Sequence, residues 1–157
     1  MARFIILLAV ATVIRGLGAG LIYDVAWISL PLRKQIGVVP YAQYARANFD
    51  RGFKTYGPVS IIGLLLTIAA TVFVFIGDFQ PVIFWSVMTA MLATILAFIG
   101  TFRALPAVMR IRKLSDDEAV LTKTFNHFAF WHSFSTLWQL ISFLAFVVAL
   151  TCFALQV

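Results

Sequence analysis

Apolar residues fall along this chain in four long blocks, at about 4–30, 58–77, 81–103 and 126–155, with short polar interruptions between them. A helix needs roughly 20 apolar residues to cross the hydrocarbon of a bilayer. Lipid offers no hydrogen bonds to the backbone, so blocks of this length predict helices. The expected fold is all-α, a four-transmembrane-helix bundle forming a single integral membrane domain over residues 1–157. Only Asp78, Phe79 and Gln80 separate the second and third blocks. Pro81 follows, at a helix start where proline is tolerated, so these two spans form a tight hairpin.

The other two connections are longer and have patterns of their own. Tyr41, Ala45, Phe49 and Phe53 recur at near-helical spacing with Arg46, Asp50, Arg51 and Lys54 between them. That pattern predicts a short amphipathic helix over 41–56, lying in the membrane interface. Ser115 and Glu118 have capping-box spacing, so the fourth helix is expected to start near 116 and to enter the bilayer near 126. Pro31 and Pro106 mark the exits of the first and third spans into basic loops.

Composition agrees with the pattern. The chain is 62% hydrophobic and 11% charged, whereas soluble domains carry about a quarter charged residues. The first block is too long for a signal peptide, and Arg15 and Asp24 interrupt it. The net charge of +6 comes mostly from the two long connections: Arg33, Lys34, Arg46, Arg51 and Lys54 in one, and Arg103, Arg110, Arg112, Lys113 and Lys123 in the other. The positive-inside rule places both in the cytoplasm and both termini outside the plasma (inner) membrane, with Arg3 a minor exception. Basic loops beside anionic headgroups account for the charge without nucleic acid. The lone Cys152 excludes an intramolecular disulfide.

Each span carries a stripe of small or polar residues: Thr12, Gly16, Gly20 and Asp24; Ser60, Gly63, Thr67 and Thr71; Ser86, Ala90, Ala93, Ala97 and Gly100, with Thr89 and Thr94 on its edges; and His132, Thr136 and Gln139. Small residues allow helices to approach closely in lipid, and hydroxyls bond across the contact. Intramembrane ionisable residues face inward and mark function more often than not. At 1.5 Å per residue, Arg15 lies roughly 16 Å from the outer face, near the midplane. Two polar layers follow from such counting. One, at the midplane, holds Arg15, Thr67, Thr94 and Gln139. The other, nearer the inner face, holds Tyr23, Asp24, Arg103, His127, Trp131 and His132. Arg15 and Asp24 stand half a turn out of phase and cannot pair. Arg103 or His132 is the expected partner of Asp24, and a bound anion or a carbonyl that of Arg15. His132 is the best candidate base, because its helix face also carries Thr136 and Gln139 and histidine exchanges protons near neutral pH. His127 and His132 are on different faces, and the spans contain no glutamate, so neither a metal nor another cofactor is expected.

Several short motifs carry a family resemblance. They are Gly18-Ala19-Gly20, Ser29-Leu30-Pro31-Leu32-Arg33, Tyr44-Ala45-Arg46-Ala47, Tyr56-Gly57-Pro58, Phe125-Asn126-His127-Phe128, Trp131-His132 and Leu137-Trp138-Gln139-Leu140. Together they resemble the anthrone oxygenase-like family of small four-helix membrane proteins, over nearly the whole chain. The resemblance implies oxidation of an anthrone to an anthraquinone by molecular oxygen, with a site in the polar run from Asn126 to Thr136. The family's arginine after this cluster is missing here, where Ser133-Phe134-Ser135-Thr136 stands.

Three functions compete at this level. The first is an oxygenase-like enzyme for a lipophilic small molecule. In it His132 is the base, Asp24 or Tyr23 orients it, and Arg15 or Arg103 stabilises an anion, with Asn126, Trp131, Thr136 and Gln139 lining the site. The second is a non-catalytic subunit or scaffold, packing against itself as a homo-oligomer or against a partner membrane subunit. The third is a small oligomeric transporter or channel, although the polar stripes contain no acidic ring.

Overall fold

The computed structural model describes residues 2–155, and those residues form helices without any strand. Helix α1 covers Ala2–Asp24, a π-helical turn covers Val25–Ser29, and α2 covers Leu30–Ile36, so the first span is one nearly continuous rod. Gly37 alone reverses the chain, at φ 91°. That left-handed backbone suits a residue without Cβ. Helix α3 is Val38–Ile76, α4 is Pro81–Ile111 and α5 is Glu118–Ala154.

Four helical segments, Arg3–Ile36, Val38–Ile76, Pro81–Ile111 and Glu118–Ala154, are long and apolar enough to cross a membrane. At 1.5 Å per residue they measure roughly 47–59 Å, against about 30 Å of hydrocarbon. The bundle has a hairpin end, at the α3–α4 turn, and a basic end, and its rods are longer than the hydrocarbon is thick. Leucine, isoleucine and phenylalanine side chains stay exposed all round the shaft, as lipid solvation allows.

Three boundaries differ from the sequence expectation. The separate interfacial helix over 41–56 does not form, because α3 runs through it and through Pro58 without a break. Its apolar stripe finds protein instead of headgroups: Tyr41 and Ala42 are buried against Ile111, Leu121 and Phe125. Helix α4 likewise passes Pro106 and ends at Ile111 rather than near 103. Proline costs a helix one hydrogen bond and a local clash, and both prolines lie where continued packing offsets that cost. Helix α5 is capped by Asp117, whose Oδ1 accepts from the Val120 N–H at 3.0 Å, so Ser115 is not its cap.

Two apolar cores sit at opposite ends. At the hairpin end Phe4 packs on Phe79 and Phe153, with ring centroids 4.4 and 5.2 Å away, above Leu8, Val74, Ile83 and Phe146. At the basic end Leu30, Tyr41, Ile111, Leu121 and Phe125 form the second. The most extensive helix contact is α4 against α5. There Ala90, Ala93, Ala97 and Gly100 are buried, and α5 comes so close that a Cβ on Gly100 would lie 3.1 Å from the Ser135 backbone nitrogen. Ser135 Oγ donates to the Ala97 carbonyl at 2.9 Å, and Ser142 Oγ to the Ala90 carbonyl at 3.2 Å. Close approach and cross-helix hydroxyl bonds replace the hydrophobic effect, which lipid does not supply between helices.

Candidate functional site

Between the two cores lies a polar layer centred on Arg15, which is only 2% exposed. Its Nε and Nη2 both donate to Thr67 Oγ1, at 3.0 and 2.6 Å. Nη2 also donates to Thr94 Oγ1 at 2.7 Å, and Nη1 to Gln139 Oε1 at 3.3 Å. One side chain from each of α1, α3, α4 and α5 thus meets at one level. Each threonine is oriented by its own helix: Thr67 donates to the Gly63 carbonyl at 2.8 Å and Thr94 to the Ala90 carbonyl at 2.7 Å. That back-bonding is usual for helical threonine, and here it turns the oxygen lone pairs towards the guanidinium. Ser142 Oγ, 3.1 Å from Thr94 Oγ1, extends the layer. All four sequence-predicted members of the midplane layer meet here. Arg15's expected partner, an anion or a carbonyl, is replaced by two hydroxyls and an amide. No acidic side chain contacts it among the described residues. The layer can hold a lone positive charge in place and tie four helices to one register.

The second predicted layer does not assemble. Asp24 is exposed and accepts only the Ser29 hydroxyl, at 3.2 Å. Tyr23, also exposed, stacks on Trp27 with centroids 6.2 Å apart. Neither meets His132. The buried face of α1 runs Phe4, Leu8, Ala11, Arg15 and Ala19, so the expected inward stripe of Thr12, Gly16, Gly20 and Asp24 lies to its side, and Gly20 and Asp24 face outward. Arg103 is exposed and sits over the Trp131 ring, 5.7 Å from its centroid, and does not pair with Asp24. Asn126 accepts from Arg33 Nη2 at 3.0 Å.

His132 is half-buried and stacks on Phe128, with centroids 5.0 Å apart and planes 27° apart. On the next turn of α5, Thr136 Oγ1 lies 3.5 Å from the Ile22 carbonyl of α1. Thr136 bonds principally to its own helix, donating to the His132 carbonyl at 2.8 Å. His132 Nε2 is buried without a hydrogen-bond partner, and so is Trp138 Nε1. The best-formed clefts are open ones at the basic end, about 570 Å³ along Glu118, Thr122 and Asn126 and about 380 Å³ along Pro106, Met109 and Lys113. Neither Arg15 nor His132 lines either of them. Among the described residues no three His, Cys, Asp or Glu side chains converge as metal ligands would.

The basic end carries contacts that spacing did not announce. Arg46 donates to the Ile111 carbonyl at 2.9 Å, to the Leu114 carbonyl at 2.8 Å and to Asp116 Oδ1 at 2.8 Å, clasping the α4–α5 connection. The Arg46 hydrogen bond holds the Asp116 carboxyl below the usual carboxylate range. Arg112 pairs with Asp50 at 3.0 Å and lies over Phe49. Ser142 was within reach of sequence reasoning, since it stands three residues beyond Gln139 on the same face. Arg46 and Asp116 are seventy positions apart and had no such signal.

Comparison with protein-family models, curated proteins and solved structures finds no match to this chain.

Proposed function

We propose that the chain is a multi-pass enzyme of the plasma (inner) membrane, with both termini outside, that uses His132 as a base on a lipophilic substrate entering from the bilayer. The observation that carries this reading is the buried, unpartnered Nε2 of His132. A buried polar atom without a partner is rare and calls for an explanation. A neutral imidazole donates from one ring nitrogen and accepts at the other. In the tautomer protonated on Nδ1, the lone pair sits on the buried Nε2, ready to take a proton. Phe128 fixes the ring plane. Asp24 and Tyr23, engaged with Ser29 and Trp27, do not orient the ring, and Arg15 leaves the site for the structural layer. Arg103, Asn126 and Trp131 remain on or beside the same stretch of α5.

The resemblance to anthrone oxygenase-like proteins supplies a reaction of fitting chemistry. An acidic C–H of a CH₂ group beside a conjugated ketone gives its proton to Nε2, and the carbanion adds molecular oxygen. The proton returns to the peroxide, and loss of water from CH–OOH leaves a carbonyl. One O₂ is consumed and one H₂O released for each CH₂ oxidised. Oxygen uptake by the purified chain in nanodiscs, with an anthrone as substrate, tests this. His132→Ala is expected to lower turnover by about a hundredfold or more, as loss of a general base does, while the helical circular dichroism stays. Unchanged turnover in that variant, or none in the native chain, removes the reading. A stoichiometric membrane partner in native purification would then favour the scaffold.

A further inference from the structure

At the basic end Asp116 is bonded to Arg46, Asp50 to Arg112, and Asp117 to the first turn of α5. Arg103, Arg110 and Lys113 are exposed, and none of them has an acidic partner among the described residues. Arg103 and Arg110 stand seven residues apart and share one face of α4. Lys113 follows in the turn after the helix, its backbone N–H on the Arg110 carbonyl at 2.8 Å. Arg110 and Lys113 line one open cleft of about 380 Å³, whose other walls are Pro106, Met109 and Leu114. The cleft thus pairs two cations with an apolar wall, and no carboxylate lines it.

Depth follows from the helix rise. Pro81 opens α4 at the hairpin, and Thr94, which binds Arg15, stands roughly 20 Å further along. That is half the thickness of a bilayer with its headgroups, so with the hairpin at one membrane surface Thr94 stands at the middle. Arg103 then lies about 14 Å beyond it and Arg110 about 24 Å. The two bracket the headgroup layer, which runs from about 15 to 22 Å. Cα–Cβ bonds tilt towards the helix N-terminus, so Arg110 leans back into that layer. Arg103 lies over the Trp131 ring at the edge of the hydrocarbon, 5.7 Å from its centroid. The anion met at this depth is a lipid phosphate, which arginine takes with two parallel hydrogen bonds. A zwitterionic headgroup would also bring an ammonium beside two cations, with no carboxylate to receive it. We propose that this cleft binds an anionic phospholipid without an ammonium, of the phosphatidylglycerol kind. Its phosphate sits on Arg110 and Lys113, and its glycerol and upper methylenes lie against Pro106 and Met109. His132 takes no part.

Native mass spectrometry of the delipidated full chain, titrated with phosphatidylglycerol, phosphatidylethanolamine and phosphatidylcholine of matched acyl chains, tests it. The glycerol lipid is expected to bind on the order of twentyfold tighter than either zwitterionic lipid, about fivefold for each of two basic side chains. Arg110→Gln with Lys113→Gln should erase that preference. Lys34→Gln with Lys54→Gln removes the same charge from exposed positions on α2 and α3 and should leave it intact. A preference that survives the cleft variant, or that falls equally in both variants, overturns the proposal, because net charge alone would then explain the binding. Equal affinity for inorganic phosphate and for the glycerol lipid would mark a plain anion site and overturn it as well. Should the cleft variant not fold, equal binding of the glycerol and choline lipids to the native chain overturns it. His132→Ala should keep the lipid preference, so this proposal and the enzymatic reading fail separately.

Discussion

Arg15 and Asp24 stand nine residues apart on one helix and have opposite surroundings. Arg15 is enclosed by four hydrogen bonds to uncharged oxygens from three other helices. Asp24 is open, with one hydroxyl contact from its own π turn. Two and a half turns of helix separate them, so burying one exposes the other. The difference teaches that an ionisable residue in a span need not mark the reactive place. The arginine fastens four helices together, and a buried polar atom left without a partner on α5, His132 Nε2, lies elsewhere.

The sharpest way to break this comparison is to remove the acceptors and keep the charge. Thr67→Val preserves shape and deletes the oxygen that takes two of the four arginine bonds. It should cost about 2–3 kcal/mol, the scale for a charged group left under-satisfied in the interior. Thr94→Val should cost less, about 1–2 kcal/mol, and Gln139→Leu, whose bond is the longest, about 1 kcal/mol. Reversible unfolding in mixed detergent micelles would rank them. Adding Arg15→Met to Thr67→Val should recover part of the loss, since the stranded charge is gone. Strict additivity of the two losses would mean that Arg15 contributes by bulk alone.

Glycine replacement asks whether the layer depends on how closely α4 and α5 approach. A Cβ at Gly100 would meet the Ser135 backbone, which cannot turn aside, and Phe134 Cδ1 at 2.9 Å. Gly100→Ala should cost about 1–3 kcal/mol, as overpacking does. A Cβ at Gly16 meets only the Phe143 ring edge, also at 2.9 Å, and a ring can swing. A smaller loss is expected there. Gly20 has nothing within 4 Å, so Gly20→Ala should stabilise by up to about 1 kcal/mol through helix propensity. A destabilised Gly20→Ala would restore the inward-facing stripe of α1 that the structure displaces.

Hydrophobic block length was enough to read the four spans, the hairpin and the membership of the midplane layer, because depth follows from counting residues along rigid rods. Which way each rod turns was harder. In α1 the small-residue stripe and the true buried face are neighbours about a quarter-turn apart. The choice between them rests on where Arg15 finds oxygen on other helices, and no local pattern carries that. Thr94, which spacing put on the edge of its stripe, is wholly buried for the same reason. The run through Pro58 and the clasp by Arg46 are also tertiary. Proline is read locally as an ending, and it continues here because Tyr41 and Ala42 have a core to bury against.

The mildest test sets the exposed ion pair of the basic end against the enclosed arginine. Because the Arg46 hydrogen bond lowers the Asp116 pKa in the folded chain, its contribution to stability is fully present above the unfolded carboxylate's pKa. It is lost as pH falls through the lower folded value. Acidification from neutral pH should therefore loosen the α4–α5 connection, read as faster amide exchange around Leu114, and Asp116→Asn should flatten that dependence. Asp116 is exposed and Arg46 half-buried, so raising salt to about 1 M should mimic part of the acid effect, while the Thr67→Val penalty should not respond. Equal salt sensitivity at both places would mean that water reaches the Arg15 layer, and that the fastening is a wet site after all.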